Sequence, residues 1–484
     1  MSDTTAEAVL SETTADVAGP PSTGMAGRAL WLILLVVLIA DGLDLMDATI
    51  TNVAAPSVVS DLGGGAGLIK WLGAAYALAL GSMLVLGGRV GDRFGQRRVF
   101  LVGMTGFTLA SAVAGLSVDP AMLIVARIAQ GGFGALLIPQ GMAIMTKTFP
   151  REVLAKAFAA FGPMLGVFAV GGPVLGGFLI DANLLGLGWR PVFLINVVVG
   201  GLGLLLAVRV LPAVAADPGV RIDSIGSGLL AAAMFGLLYG LVQGSTDGWT
   251  TLPLASIALS AGLFAAFARR QLTTAAPLIT PSLFTNRGFT SGLVAGLLVF
   301  AAFNGLMYVI SLFFQLGLGY SPLHASLGLL PLTVGIIIGA GTCMALVTRL
   351  GRILVLAGLV VSAAGTGLLL LVVRSAGLGV TWWQLALATL LIGVGAGTCF
   401  GSIFDTALGD IAPDEAGAAS GSLSAVQQIA AGVGSATVTS IYFGHLATGQ
   451  ISAITTSLVA VLAIAALCLL AVPLLPPKAA PLEH

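Results

Sequence analysis

Apolar runs of about twenty residues follow one another along almost the whole chain, separated by short clusters of polar residues, Gly or Pro. An α-helix rises 1.5 Å per residue, so about 20 apolar residues cross the ~30 Å hydrocarbon core of a bilayer. The pattern predicts fourteen membrane-spanning helices, near 31–57, 70–88, 98–117, 121–142, 156–179, 191–211, 224–243, 252–270, 289–314, 325–347, 353–373, 382–404, 418–443 and 452–475. Composition agrees: 57% of the 484 residues are hydrophobic and 8% are charged, whereas soluble domains are about a quarter charged. The expected fold class is therefore an all-α polytopic membrane protein.

Loop charge orients the spans. Lys and Arg gather in cytoplasmic loops. With the N-terminus inside, sixteen of the 20 basic residues fall on the cytoplasmic side, Lys70, Arg190 and Arg374 outside, and Arg127 within a span. Both termini are thus expected in the cytoplasm. Residues 1–27, rich in Ser, Thr and Ala, read as a disordered tail, and Leu482, Glu483 and His484 as a tag remnant. The formal net charge is zero, with no basic face for nucleic acid. Cys343, Cys399 and Cys468 lie in separate apolar runs, without metal-ligand spacing. No catalytic or metal-binding cluster emerges, and a membrane enzyme, which needs grouped His, Cys or Ser-base chemistry, is disfavoured.

A faint internal repeat divides the chain. Arg93-Phe94-Gly95 with Gly103 follows the second span as Arg349-Leu350-Gly351 with Gly358 follows the tenth. This predicts six-helix bundles over 28–211 and 289–478, with two extra helices and their loops over 212–288. Thr348 stands where Asp92 would repeat, so the work of Asp92 belongs to one half.

The most telling positions are Asp41, Asp44 and Asp47, inside the first span. A carboxylate at a helix centre costs roughly 2.5–3.5 kcal/mol on insertion scales, so such residues face a polar interior. Each three-residue step turns the helix by about 60° and advances it ~4.5 Å, which makes the three a slanted ladder, with Asn52 returning almost to the line of Asp41. Arg127, inside the fourth span, needs a carboxylate partner, and the ladder is the nearest supply. Asn304, Tyr308 and Gln315 are candidates for the opposite wall of a cavity, on position alone.

Four stretches carry a family resemblance: Gly88 to Arg98, containing Asp92, Arg93, Gly95 and Arg97; Leu123 to Gly134, containing Arg127, Gln130 and Gly131; the run Gly171-Gly172-Pro173 with Gly176 and Gly177; and Met46 to Pro56, containing Asp47 and Asn52. Together they resemble the major facilitator superfamily, specifically its fourteen-span drug/proton antiporter branch. Phe168, at the start of the fifth-span motif, and Pro191, within Trp189 to Asn196, depart from the usual pattern. Asp41 and Asp44 lie outside the usual first-span motif and bear on substrate.

The resemblance implies a monomeric alternating-access carrier in a bacterial inner membrane, exporting cationic or amphipathic drugs or antibiotics against protons. The proton is the coupling ion, with no other cofactor, and the partners are a drug-like small molecule and the bilayer. Asp47 is the expected proton carrier and Arg127 its relay. The basic loop after the second span is either a topology signal or a conformational latch; as a latch, its counterpart is the acidic loop with Asp410, Asp414 and Glu415. The fifth-span glycines either pack helices closely or seal one bundle against the other, as the resemblance implies for exporters. The competing reading is a proton-coupled uptake symporter of the same fold.

Overall fold

The computed structural model describes residues 27–150, 153, 157, 168, 171–213, 216–220, 222–274, 277–279, 281–408, 411 and 416–476, and among these every regular element is helical. The long helices of the first half are α1 (Gly27–Leu62), α2 (Gly65–Phe94), α3 (Gln96–Gly115), α4 (Pro120–Thr148), α5 (171–181) and α6 (Pro191–Val210). An intervening pair follows, α7 (Ser224–Asp247) and α8 (Thr251–Thr273). The second half comprises α9 (Arg287–Leu312), α10 (Leu330–Leu350), α11 (Arg352–Ala376), α12 (Trp382–Leu408), α13 (Ala416–Gly444) and α14 (Gln450–Ala471).

Among the described residues, twelve helices are long and apolar enough to cross a membrane. Of the fourteen expected spans, the fifth lies largely outside the described residues. The thirteenth is a helix of 29 residues, long enough to cross, but its Ser, Thr, Gly and Gln content sets it apart from the twelve.

Local chemistry marks the helix ends. Asp119, Asp223 and Asn286 cap α4, α7 and α9 by accepting from the backbone amides of Met122, Gly226 and Phe289, which satisfies donors that a helix start leaves orphaned. Gly95, at φ 93°, joins α2 to α3, and Gly351, at φ 50°, joins α10 to α11. Positive φ is cheap only for glycine, so the repeat visible in the sequence is a glycine junction at the same place in each half, with ψ 125° at Gly95 and −126° at Gly351.

Packing follows the same duplication. In the first half α4 lies between α2 and α3; in the second, α12 lies between α10 and α11. The halves meet where α2 packs on α13, and α7 covers that junction by touching both, with α8 outside it.

The second span begins earlier than its hydropathy suggests, because the left-handed turn at Gly63 and Gly64 starts α2 at Gly65. Lys70, expected in an external loop, is instead fully buried within α2, its Nζ 5.9 Å from the centre of the Phe443 ring on α13. Arg127 is therefore not the lone buried cation. The lysine stem is apolar enough to lie inside a helix contact, which a count of charged loop residues does not register.

Candidate functional site

The polar centre of the first half grows from close helix approach. A Cβ on Gly131 of α4 would stand 2.3 Å from the Tyr76 carbonyl oxygen of α2. Glycine there brings the two backbones together, and the Arg127 guanidinium, one turn earlier, lies 4.4 Å from the centre of the Tyr76 ring, with the Phe193 ring 5.8 Å away.

The Asp47 carboxylate is completely enclosed. Its Oδ2 pairs with Arg127 Nη1, and its Oδ1 accepts from Asn196 Nδ2 of α6 at 2.6 Å and from Gln130 Nε2 of α4 at 3.2 Å. Gln130 is a hub: its carbonyl oxygen accepts from Arg127 at 3.1 Å, and its amide also donates to Ser111 Oγ of α3 at 2.7 Å. Four helices thus converge on one ion pair whose carboxylate is filled by amides, while Arg127 Nε is buried with no hydrogen-bond partner among the described residues. A buried pair is tolerable only when so completed, and removing one member typically costs about 3–5 kcal/mol.

The other two carboxylates are only half-buried. Asp44 Oδ1 accepts the Tyr76 hydroxyl, and Gly134 of α4 leaves room beside both groups, since a Cβ there would lie 3.5 Å from each. Asp41 Oδ1 is buried with no hydrogen-bond partner among the described residues. The ladder therefore divides into a saturated rung, Asp47, and two rungs with capacity to spare.

The candidates on the second half have a different task from the one expected. Tyr308 is fully buried, and its hydroxyl donates to the Ile69 carbonyl of α2 at 2.6 Å. Gln315, in a π-helical turn at the end of α9, donates to the Val53 carbonyl of α1 at 3.1 Å, and Ser311 Oγ lies 3.5 Å from the Asn52 carbonyl. These side chains tie the halves together rather than line an open cavity. Asn304 is half-buried and bonds back to Phe300 in its own helix.

The fifth-span glycines divide between two surfaces. A Cβ on Gly172 or Gly176 would meet Thr49 or Ile50 of α1 at 2.5 and 2.3 Å, within the same half. On Gly177 it would meet the Leu323 backbone at 2.6 Å, in the short helix Pro322–Gly328 of the other half, where Ser326 also donates to the Pro173 carbonyl at 2.8 Å.

At the opposite end, Asp92 accepts from Gln96 at 2.9 Å and from Lys147 at 3.4 Å. Its carbonyl accepts from the Asp217 amide at 2.9 Å, and Arg89 donates to the Pro277 carbonyl at 3.4 Å. The linkers entering α7 and leaving α8 thus touch the glycine-rich loop directly. At Gly91 the Gln140 amide fills the space a Cβ would take, so a larger residue there displaces that side chain. Gly88 is less confined, with Pro139 3.9 Å from such a Cβ. Arg97 bonds the Val208 carbonyl of α6 at 2.7 Å, Arg93 lies over Phe94, and Arg98 is exposed. The proposed acidic counterpart, Asp410, Asp414 and Glu415, lies outside the described residues.

The sequence reading passes over Tyr76 and Ser111, places Lys70 in an external loop, and meets Asn196 only as the end of a motif. A polar residue inside an apolar run was the available signal for Asn196 and Ser111; Tyr76 in such a run reads as core.

The sequence model of the Major Facilitator Superfamily matches residues 37–435. The chain belongs to that superfamily. It is 40% identical over 434 residues to a "Probable actinorhodin transporter" of Streptomyces coelicolor, covering 89% of this chain and 74% of that protein. It is 31% identical over 424 residues to a "Tetracenomycin C resistance and export protein" of Streptomyces glaucescens, covering 87% and 77%. Among solved structures, a POT family transporter in complex with a thioalcohol-conjugated peptide superposes with a TM-score of 0.69 at 15% identity, covering 94% of this chain and 98% of that one. That likeness concerns the fold. The chain is thus a multi-pass membrane transporter rather than an enzyme.

Proposed function

We propose that this transporter exports an antibiotic or similar cationic or amphipathic molecule from the bacterial cytoplasm in exchange for protons. The observation that carries the reading is the enclosed Asp47–Arg127 pair, completed by Gln130 and Asn196. It is a charge-sensitive centre inside a superfamily fold whose named relatives include antibiotic exporters. The half-buried Asp44 and Asp41 beside it supply carboxylates for a cation.

Alternating access proceeds by rocking one six-helix half against the other about a site between them. Loop charge orients the end of α1 outward. On that orientation the contacts of Tyr308, Gln315, Ser326 and Gly177 close the outer side, the state in which substrate enters from the cytoplasm or inner leaflet. A proton entering from outside neutralises a carboxylate of the centre, loosens its hold on a cationic group and lets substrate leave. Proton entry is driven by ~2.3 kcal/mol per 100 mV of potential and by ~1.4 kcal/mol per pH unit, enough for useful accumulation with one or two protons. The carrier acts as a monomer in the inner membrane, with both termini inside.

The test is ethidium and antibiotic accumulation in cells lacking their own major efflux pumps. Expression should lower accumulation, a protonophore should restore it, and Asp47→Asn should behave like empty vector. Higher accumulation on expression would instead establish uptake.

A further inference from the structure

Tyr76 joins two groups that otherwise do not touch. Its hydroxyl donates to Asp44 Oδ1, and its ring face lies under the Arg127 guanidinium, 4.4 Å from ring centre to Cζ, while that guanidinium holds Asp47. The residue is almost fully buried, so neither contact is an accident of a free surface side chain. The titratable and charged groups facing Asp44 are Tyr76 from α2, Arg127 from α4, and Asp41 and Asp47 from α1 itself. Asp47 has its two oxygens taken up by Arg127, Gln130 and Asn196. Asp44 is held by one hydroxyl and stays half-buried, so it is the more accessible to an incoming proton.

We propose that Asp44 is a second proton-exchanging carboxylate and that Tyr76 is the positioning residue that transmits its state to the Arg127–Asp47 pair. When Asp44 is ionised, the hydroxyl is fixed by a charge-assisted bond, stronger than one to a neutral acceptor, and the ring is held flat beneath the guanidinium. When a proton adds to an Asp44 oxygen, the carboxylate becomes a neutral acid and the bond loses its charge assistance. The ring is then free to turn, and Arg127 loses its cation–π contact. The same proton returns to the cytoplasm when Asp44 ionises again. One tyrosine thereby lets a half-buried carboxylate act on a buried ion pair that solvent does not reach. The inference rests on the proton-coupled reading, although the titration itself does not need a substrate.

The experiment is a difference infrared titration of the full-length protein in lipid from pH 5 to 9, with no transported compound present. In wild type a carboxylic-acid C=O band appears as pH falls, and a guanidinium band changes with the same midpoint. Asp44→Asn removes the component of the acid band that shares its midpoint with the guanidinium change. Tyr76→Phe keeps the ring but removes the hydroxyl that favours the ionised form. It shifts the acid midpoint upward by about one to two pH units, the loss of a hydrogen bond to a charged group. Tyr76→Leu keeps the acid band but uncouples the guanidinium change from it, which a merely space-filling tyrosine would not do. A guanidinium change that keeps an acid-coupled midpoint in Asp44→Asn, or one still coupled in Tyr76→Leu, overturns the proposal. Ethidium-driven proton release from proteoliposomes separates the two levels: its absence in wild type, with the infrared titration intact, counts against proton coupling for that cation while Asp44 and Tyr76 keep their linkage.

Discussion

The two halves share a glycine junction and a helix arrangement but bury different chemistry. In the first, Arg127, Asp47, Gln130, Asn196 and Ser111 bond across four helices. In the second, buried Thr366, Thr389, Thr398, Ser402 and Thr406 donate to carbonyls one turn back in their own helices. Its α10–α12 contact is built on glycine: Gly335 and Gly339 face the Leu390 and Val394 carbonyls, and Gly393 and Gly397 face those of Leu332 and Ile336. Both pairs have the four-residue spacing that lets membrane helices touch. Among the described residues, none of the ion pairs lies in the second half. Close glycine packing is thus common to both copies, whereas among the described residues the buried ion pair belongs to the first alone.

The sharpest way to break this contrast is Arg127→Ala, which strands the Asp47 carboxylate in a sealed site and should destabilise by about 3–5 kcal/mol. Thermal unfolding in detergent reads it. The double variant Asp47→Asn with Arg127→Gln should recover most of that stability while leaving transport abolished. Full stability in Arg127→Ala would mean the pair is not buried as described.

Asn196→Ala removes one amide from the same carboxylate, and a hydrogen bond to a charged group is worth about 1.5–3 kcal/mol. Its melting temperature should fall less than that of Arg127→Ala, and the midpoint of the pH–transport curve should move. In the second half, Gly393→Val drives a side chain into the Leu332 carbonyl, 1.9 Å from its Cβ, and overpacking of this kind costs about 1–3 kcal/mol. Here stability and maximal rate should drop with no change in the pH midpoint. A shifted midpoint in Gly393→Val would blur the division of labour between the halves.

The smallest effect is expected between the halves. Tyr308→Phe deletes the hydroxyl bound to the Ile69 carbonyl, a neutral bond worth about 0.5–1.5 kcal/mol. A cysteine at Asn52 should then react faster with an external thiol reagent. The native cysteines Cys343, Cys399 and Cys468 are buried and give little background.

Much of this arrangement is legible along the chain because the membrane makes charge expensive. Three aspartates and one arginine within apolar runs announce a polar interior, and Gly95 and Gly351 in matching contexts announce the duplicated helix junction. Which aspartate meets Arg127 depends on helix rotation and on the close approach at Gly131, which sequence spacing does not specify. Tyr76 is invisible for a related reason: an aromatic residue in an apolar run satisfies hydropathy whether or not its hydroxyl has work to do. Lys70 misleads because a basic residue at the edge of a run looks like a loop signal, while its stem packs inside a helix contact. Position alone places Tyr308 and Gln315 at the interface, where they stand as ties rather than cavity wall.

In the proposed mechanism, export is coupled to protons through the charged centre of the first half. Proteoliposomes loaded with a pH-sensitive dye, given an imposed proton gradient and challenged with lipophilic cations and antibiotics, measure that coupling directly. Substrate-dependent proton movement in wild type that disappears in Asp47→Asn is the predicted result; coupled movement that persists undiminished in that variant would contradict it.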